Sequence, residues 1–233
     1  MSSVEALIYY SKKYPKSIHG IFMGPLTNLA LAFLIDNDFP SRLASINIIR
    51  SDRTEKTIKN ISDYAASNSW CDPLAYVILK ECISKINVPI RIVDLAMCLA
   101  PHLPLSFLDN IKNLNRRASK MNKHLDLFEI FIDRTNQYSR KIYQENGIIV
   151  FDLYAAAGLF NLSLWKTVKR VNIVNVVKSG QLQGQVEYQE DSQGSVDLFY
   201  EFETDQMAEK IVDTISRAGI LLMHYRRNYL SNN

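Results

Sequence analysis

The stretch Ser17-Ile18-His19-Gly20-Ile21-Phe22-Met23-Gly24-Pro25-Leu26-Thr27-Asn28-Leu29-Ala30-Leu31 decides the fold class. Residues 17–23 form a short apolar run between Pro15 and Gly24-Pro25, the pattern of a buried strand. Leu26 to Ile35 then reads as a helix, because a proline near the first turn needs no N–H and its ring presets a helical φ. A strand that turns directly into a helix is half of a βα unit, and such units build parallel sheets.

The same alternation extends both ways. Upstream, Val4 to Tyr14 has apolar residues at 4, 7, 8 and 14 with Lys12 and Lys13 late, which predicts an amphipathic helix stopped by Pro15. Downstream, Ala44 to Ile49 and Val88 to Leu95 read as strands. Between them lie a polar, basic stretch over 51–69, read as a long loop with room for a helical turn, and a helix from Asp72-Pro73 to about Ile86. There the carboxylate caps free N–H groups and the proline suits the first position. Residues 105–144 read as mostly helical with a basic break at 116–123, and 152–160 as a short helix. Residues 171–177, 184–188 and 195–202 alternate like strands of a small antiparallel addition, and 204–229 close the chain as helix. The expected fold is α/β, a mostly parallel Rossmann-like sheet flanked by helices, in a single domain over residues 1–233.

Composition narrows the function classes. The chain has 233 residues, 47% hydrophobic and 22% charged, within the size that one core supports. A net charge of +3 is too small to argue for nucleic acid or an anionic membrane, so neither is an expected partner. No stretch reaches about 18 uninterrupted apolar residues, so no spanning helix is expected. The first residues, Met1-Ser2-Ser3-Val4-Glu5, lack the basic segment and apolar run of a secretory leader. Cys71, Cys82 and Cys98 are odd in number and without CxxC spacing, which fits a reducing, cytoplasmic setting. The sequons at Asn60 and Asn161 then carry no glycan.

Common catalytic signatures are missing: no GxGxxG, Walker loop, HExxH or GxSxG occurs. His19, His102, His124 and His224 are scattered. The basic residues Lys112, Arg116, Arg117, Lys120 and Lys123 lack interleaved aromatics and read as a solvated helix face.

Four segments together resemble the nucleoside hydrolases, the inosine–uridine-preferring N-ribohydrolases. Met23 to Leu31 is similar to that family's strand–GPLTN–helix segment, and Asn68-Ser69-Trp70-Cys71-Asp72-Pro73-Leu74-Ala75 to its E-F-N-x-x-x-D-P-E-A. Pro89-Ile90-Arg91-Ile92-Val93 resembles the strand that follows, and Phe151-Asp152-Leu153-Tyr154-Ala155-Ala156-Ala157 the H-D-P-x-A-x-A segment. The resemblance implies N-glycosidic cleavage of a nucleoside at the carboxyl ends of the strands, with calcium holding the attacking water. It implies ribose contacts from Asn68 and Asp152, and calcium contacts from Asp152 and the main-chain carbonyl of Met23. Taken alone, Asp152 reads equally as a helix N-cap and Asn68 as a loop hydrogen-bonding residue.

Departures from the pattern weigh on the chemistry. The family's D-x-D-x-G-x-D-D motif, source of the base and most metal carboxylates, is absent. Ala66 stands at the ribose-binding glutamate, Phe151 at the histidine, and Ile49-Arg50-Ser51 at the M-G-G turn. Each acid–base group contributes about 10²–10⁴-fold, and calcium wants six to eight oxygens. The resemblance therefore implies a divergent nucleoside-hydrolase-like protein, impaired or inactive in hydrolysis, with calcium as cofactor if a site is retained. Two alternatives stand: an active calcium-dependent ribohydrolase using relocated Asp52, Glu55 or Asp63, and a non-catalytic interaction protein with complementary acidic and basic faces. The chain starts after the aspartate motif, as an N-terminally truncated homologue or an incomplete reading of a longer gene would. Because that motif includes a strand from the sheet interior, a homo-oligomer or another partner covering the exposed edge is expected, or else a reordered sheet or low stability.

Overall fold

In the computed structural model, residues 1–51, 64–94 and 161–203 are described, with shorter pieces and single positions between 103 and 159 and between 205 and 213. The relocated-acid candidates Asp52, Glu55 and Asp63, the basic stretch at 112–123, and Phe151 lie outside the described residues, as does most of 105–144 and 204–229.

Helix α1 spans Ser3–Lys13. A reciprocal capping box starts it: Glu5 N donates to Ser2 Oγ at 3.2 Å and Ser2 N to Glu5 Oε2 at 2.7 Å. Strand β1, His19–Phe22, follows, and then α2, Thr27–Ile35. Pro25 stands just ahead of the N-cap Leu26, one step earlier than the first turn. Helix α2 carries no charge and buries Leu29, Ala30, Ala32 and Phe33. Strand β2 covers Ser45–Ser51, two residues beyond expectation, with a register irregularity between Ile49 and Ser51.

The polar stretch expected as loop up to residue 69 contains a short helix, α3, Ser67–Cys71. Helix α4, Pro73–Ile83, has Asp72 as its N-cap, accepting from Ala75 N at 3.1 Å. Strand β3 is Ile90–Asp94. Strands β4, Leu103–Pro104, and β5, Gly147–Ile148, form an antiparallel pair. Then come β6, Trp165–Val176, β7, Val186–Glu190, and β8, Val196–Phe202.

Six strands form one mixed sheet in the order β1-β2-β3-β8-β6-β7. Strands β1, β2, β3 and β8 are mutually parallel, and β6–β7 is an antiparallel hairpin. The expected small antiparallel addition is the run β8-β6-β7, but β8 also lies parallel beside β3, so only β6 runs against the other five strands. The bonds Thr167–Glu201 and Arg170–Asp197 run in opposite chain directions, so β6 lies antiparallel to β8.

Alternation sorts the two faces. Ile46, Ile48, Ile90, Ile92 and Leu198 enter the core with residues of α2 and α4. Ser45, Asn47, Arg91 and Asp197 take the opposite alternation. There Asn47 Nδ2 donates to Gly20 O at 2.9 Å and to Ser45 Oγ at 2.8 Å, so these buried polar groups are satisfied.

Two compact units can be described. One comprises residues 1–97 and 165–201 and contains this sheet; the other comprises 98–164 and 202–233. In the second, Asp152, Ala156 and Leu159 are helical, in line with the short helix read from sequence. Among the described residues no helix is long and apolar enough to cross a membrane.

Candidate functional site

Parallel α/β sheets gather ligands at the carboxyl ends of their strands, where loops lead into helices. In the sheet-bearing unit that end is marked by Met23 after β1 and by the last residues of β2. Asn68 reaches both. Its side chain is buried, donating Nδ2 to Met23 O at 3.0 Å and, weakly, toward Ile49 O at 3.5 Å. Both neighbours are carbonyl oxygens, so the amide orientation is fixed: only the NH₂ can face them. Asn68 is thus a helical residue of α3 joining two strand ends, and no longer a loop residue. Its Oδ1 accepts no hydrogen bond from the described residues.

Met23 is about half exposed, and its carbonyl retains a second lone pair. Ala66, the residue in place of a glutamate, is the N-cap of α3 and is 1% exposed. Its carbonyl accepts from Trp70 N at 2.9 Å and Ser69 Oγ at 3.1 Å, so the position is closed by packing. Four residues beyond Asn68, Asp72 caps α4 with one oxygen and accepts from Thr27 Oγ1 with the other. Thr27 opens α2, so that carboxylate ties two helix starts together. Sequence reasoning gave Asp72 its cap but missed Thr27, for which only the common offset between the segments was a signal.

The predicted site residues fall into two groups. Met23 and Asn68 are brought together by their hydrogen bond. Asp152 belongs to the other unit, exposed on its helical residue. Calcium needs six to eight oxygen ligands. Around Met23 the described residues offer a carbonyl that already accepts one hydrogen bond, and the neighbouring carboxylate of Asp72 is engaged. Among the described residues no three His, Cys, Asp or Glu side chains gather as a metal-holding group. The described residues therefore do not by themselves fit a calcium site.

Comparison with known proteins supplies the context of this geometry. A family model described as inosine-uridine preferring nucleoside hydrolase matches residues 1–217. No curated protein matches. Among solved structures, the chain is similar to a purine-preferring ribonucleoside hydrolase from Gardnerella vaginalis, with TM-score 0.74 and 20% identity over 94% of this chain. A plant nucleoside hydrolase gives TM-score 0.71 and 20% identity over 92% of the chain. An inosine-uridine preferring nucleoside hydrolase from Bacillus anthracis gives 0.70 and 18% over 93%. At such identities the likeness is one of fold. The chain spans 66% of the length of each of these three structures.

Proposed function

The chain belongs to the inosine-uridine preferring nucleoside hydrolase family, and from that premise we propose that it is a divergent member impaired or inactive in N-glycosidic hydrolysis, with a ribose-facing site built on Asn68. One observation carries the reading: the polar side chains Asn68 and Asp72 of one matching segment are taken up by bonds to another. Asn68 holds the Met23 carbonyl, and Asp72 holds Thr27.

Hydrolysis asks for a group that takes a proton from water, and for charge that stabilises the cationic sugar as the base departs. Asn68 supplies neither, because an amide does not act as a base near neutral pH. What it offers is Oδ1, an acceptor for a sugar hydroxyl, on a side chain whose Nδ2 is anchored. Buried Ala66 adds no polar group beside it. The other implied contacts, from Asp152 to ribose and from Asp152 and Met23 to calcium, enter the proposal as groups to be tested.

Ribose release from inosine and uridine, with and without added calcium, tests the reading. No release above background is expected, while calorimetry with inosine gives binding that Asn68→Ala weakens. Calcium-stimulated turnover abolished by Asp152→Ala would overturn it.

A further inference from the structure

We infer that the turn of the β6–β7 hairpin is the positioning brace of Asn68, acting through Gln183 and Gly184 on helix α3; this rests on the reading of Asn68 as the ribose-facing side chain.

Helix α3 has five residues, far fewer than a helix needs to hold itself in water. Its N-cap, Ala66, contributes no side-chain bond. The helix must therefore be held by contacts from outside itself. Asn68 gives one set, to the ends of β1 and β2. The hairpin turn gives another.

Gln183 Nε2 donates to Trp70 O at 3.0 Å, satisfying a carbonyl in the last turn of α3 that has no helical donor. Gly184 lies against the same backbone. Its φ is +82°, and a Cβ there would sit 2.5 Å from both N and Cα of Trp70. Glycine is thus required twice over, for the left-handed conformation and for the close approach. Gln181 Nε2 adds a weak contact to Tyr64 Oη at 3.5 Å.

The turn is itself firm. Gly184 N donates to Val177 O at 2.8 Å, Val177 N to Gln185 O at 2.9 Å, and Gln183 N to Gly180 O at 3.1 Å. Strands β6 and β7 anchor it in the sheet. A rigid hairpin pressed on the backbone of α3, two residues from Asn68, fixes where Oδ1 points without touching a ligand.

The test pairs a ligand-free readout with a binding readout. In ¹⁵N-labelled protein the Asn68 side-chain NH₂ signals are assigned by their loss in Asn68→Ser. Gln183→Glu keeps the shape but replaces the donor with an acceptor facing Trp70 O. In it the Asn68 NH₂ signals should shift, their solvent exchange should rise by about fivefold or more, and inosine binding should weaken by a similar factor. Gly184→Ala should do more; if it does not fold, Gln183→Glu carries the test. Gln193→Ala, in the next turn, should move neither readout. Unchanged Asn68 NH₂ signals and exchange in folded Gln183→Glu would overturn the brace whether or not inosine binds. If those signals change while Asn68→Ala leaves inosine binding as it was, the ribose reading fails and the brace stands.

Discussion

Asn68 donates its side-chain amide to the main-chain oxygen of Met23 across 45 residues of chain, at 3.0 Å. Thr27 and Asp72, each four residues further along, are bonded across the same 45-residue offset. The loop entering α2 and the segment entering α4 are thereby laced together at two levels. The family's recurring residues at these positions have a structural use here that is independent of catalysis.

Asn68→Ala leaves the Met23 carbonyl without that donor and should cost about 1–2 kcal/mol in denaturant unfolding. Asn68→Asp should cost more at neutral pH, because a carboxylate then faces a carbonyl oxygen and both are acceptors. Protonation restores a donor, so the Asp variant should recover toward the Ala variant as pH falls. An Asp variant as stable as the parent at pH 7 would contradict the assigned amide orientation.

Asp72→Ala removes a helix cap and the Thr27 bond together, an expected loss of about 1–2 kcal/mol. A double-mutant cycle with Thr27→Val isolates the second part. Coupling of about 0.5–1 kcal/mol is expected for two groups in contact at a partly exposed position. Additive losses would show that the bond between the two segments contributes nothing.

Asp36 accepts from Arg42 at 2.7 Å and lies 3.0 Å from Lys12. The Arg42 guanidinium, reinforced by Lys12 against the opposing effect of burial, holds its carboxyl down to about 2. A folded-state value below the unfolded one contributes stability that is complete above the ordinary carboxylate range and disappears as pH falls toward 2. After allowance for solvent screening, Asp36→Asn should cost about 1–2 kcal/mol at pH 6 and flatten the stability profile between pH 4 and 2. An unaltered acid limb in thermal melts would refute the linkage.

Lys16 adopts φ 62°, the left-handed region that favours glycine, while its N–H donates to Arg42 O at 2.6 Å. Lys16→Gly should therefore stabilise by about 0.5–1 kcal/mol, the relief of strain exceeding the added chain entropy. Lys16→Ala keeps the strain and should give no gain. Equal stabilisation by both variants would assign the effect to the lost charge instead.

Much of the fold was legible because its signals are local. The apolar spacing from Val4 with Lys12 and Lys13 late marks α1, Asp72-Pro73 opens α4, and the apolar runs around Ile21, Ile48 and Ile92 are strands of the parallel sheet. Helix α3 was legible only as a helical turn without bounds. Ser67–Cys71 has no apolar period, and Gln183, which holds its last turn, lies 113 residues from Trp70. The candidate site was half legible: Asn68 and Met23 could be named, but not that one would bond to the other.

By itself, then, the sequence determined most helices and strands around the parallel sheet, the Asp72 cap of α4, and the family, because these follow from hydrophobic period, backbone chemistry and motif order within short windows. Tertiary structure alone decided that β8 enters between β3 and β6, that the hairpin turn lies on α3, and that Asn68 bonds to the Met23 carbonyl and Asp72 to Thr27. Such pairings are chosen by packing between residues distant in the chain, where many partners of equal local propensity compete and only the assembled core selects among them.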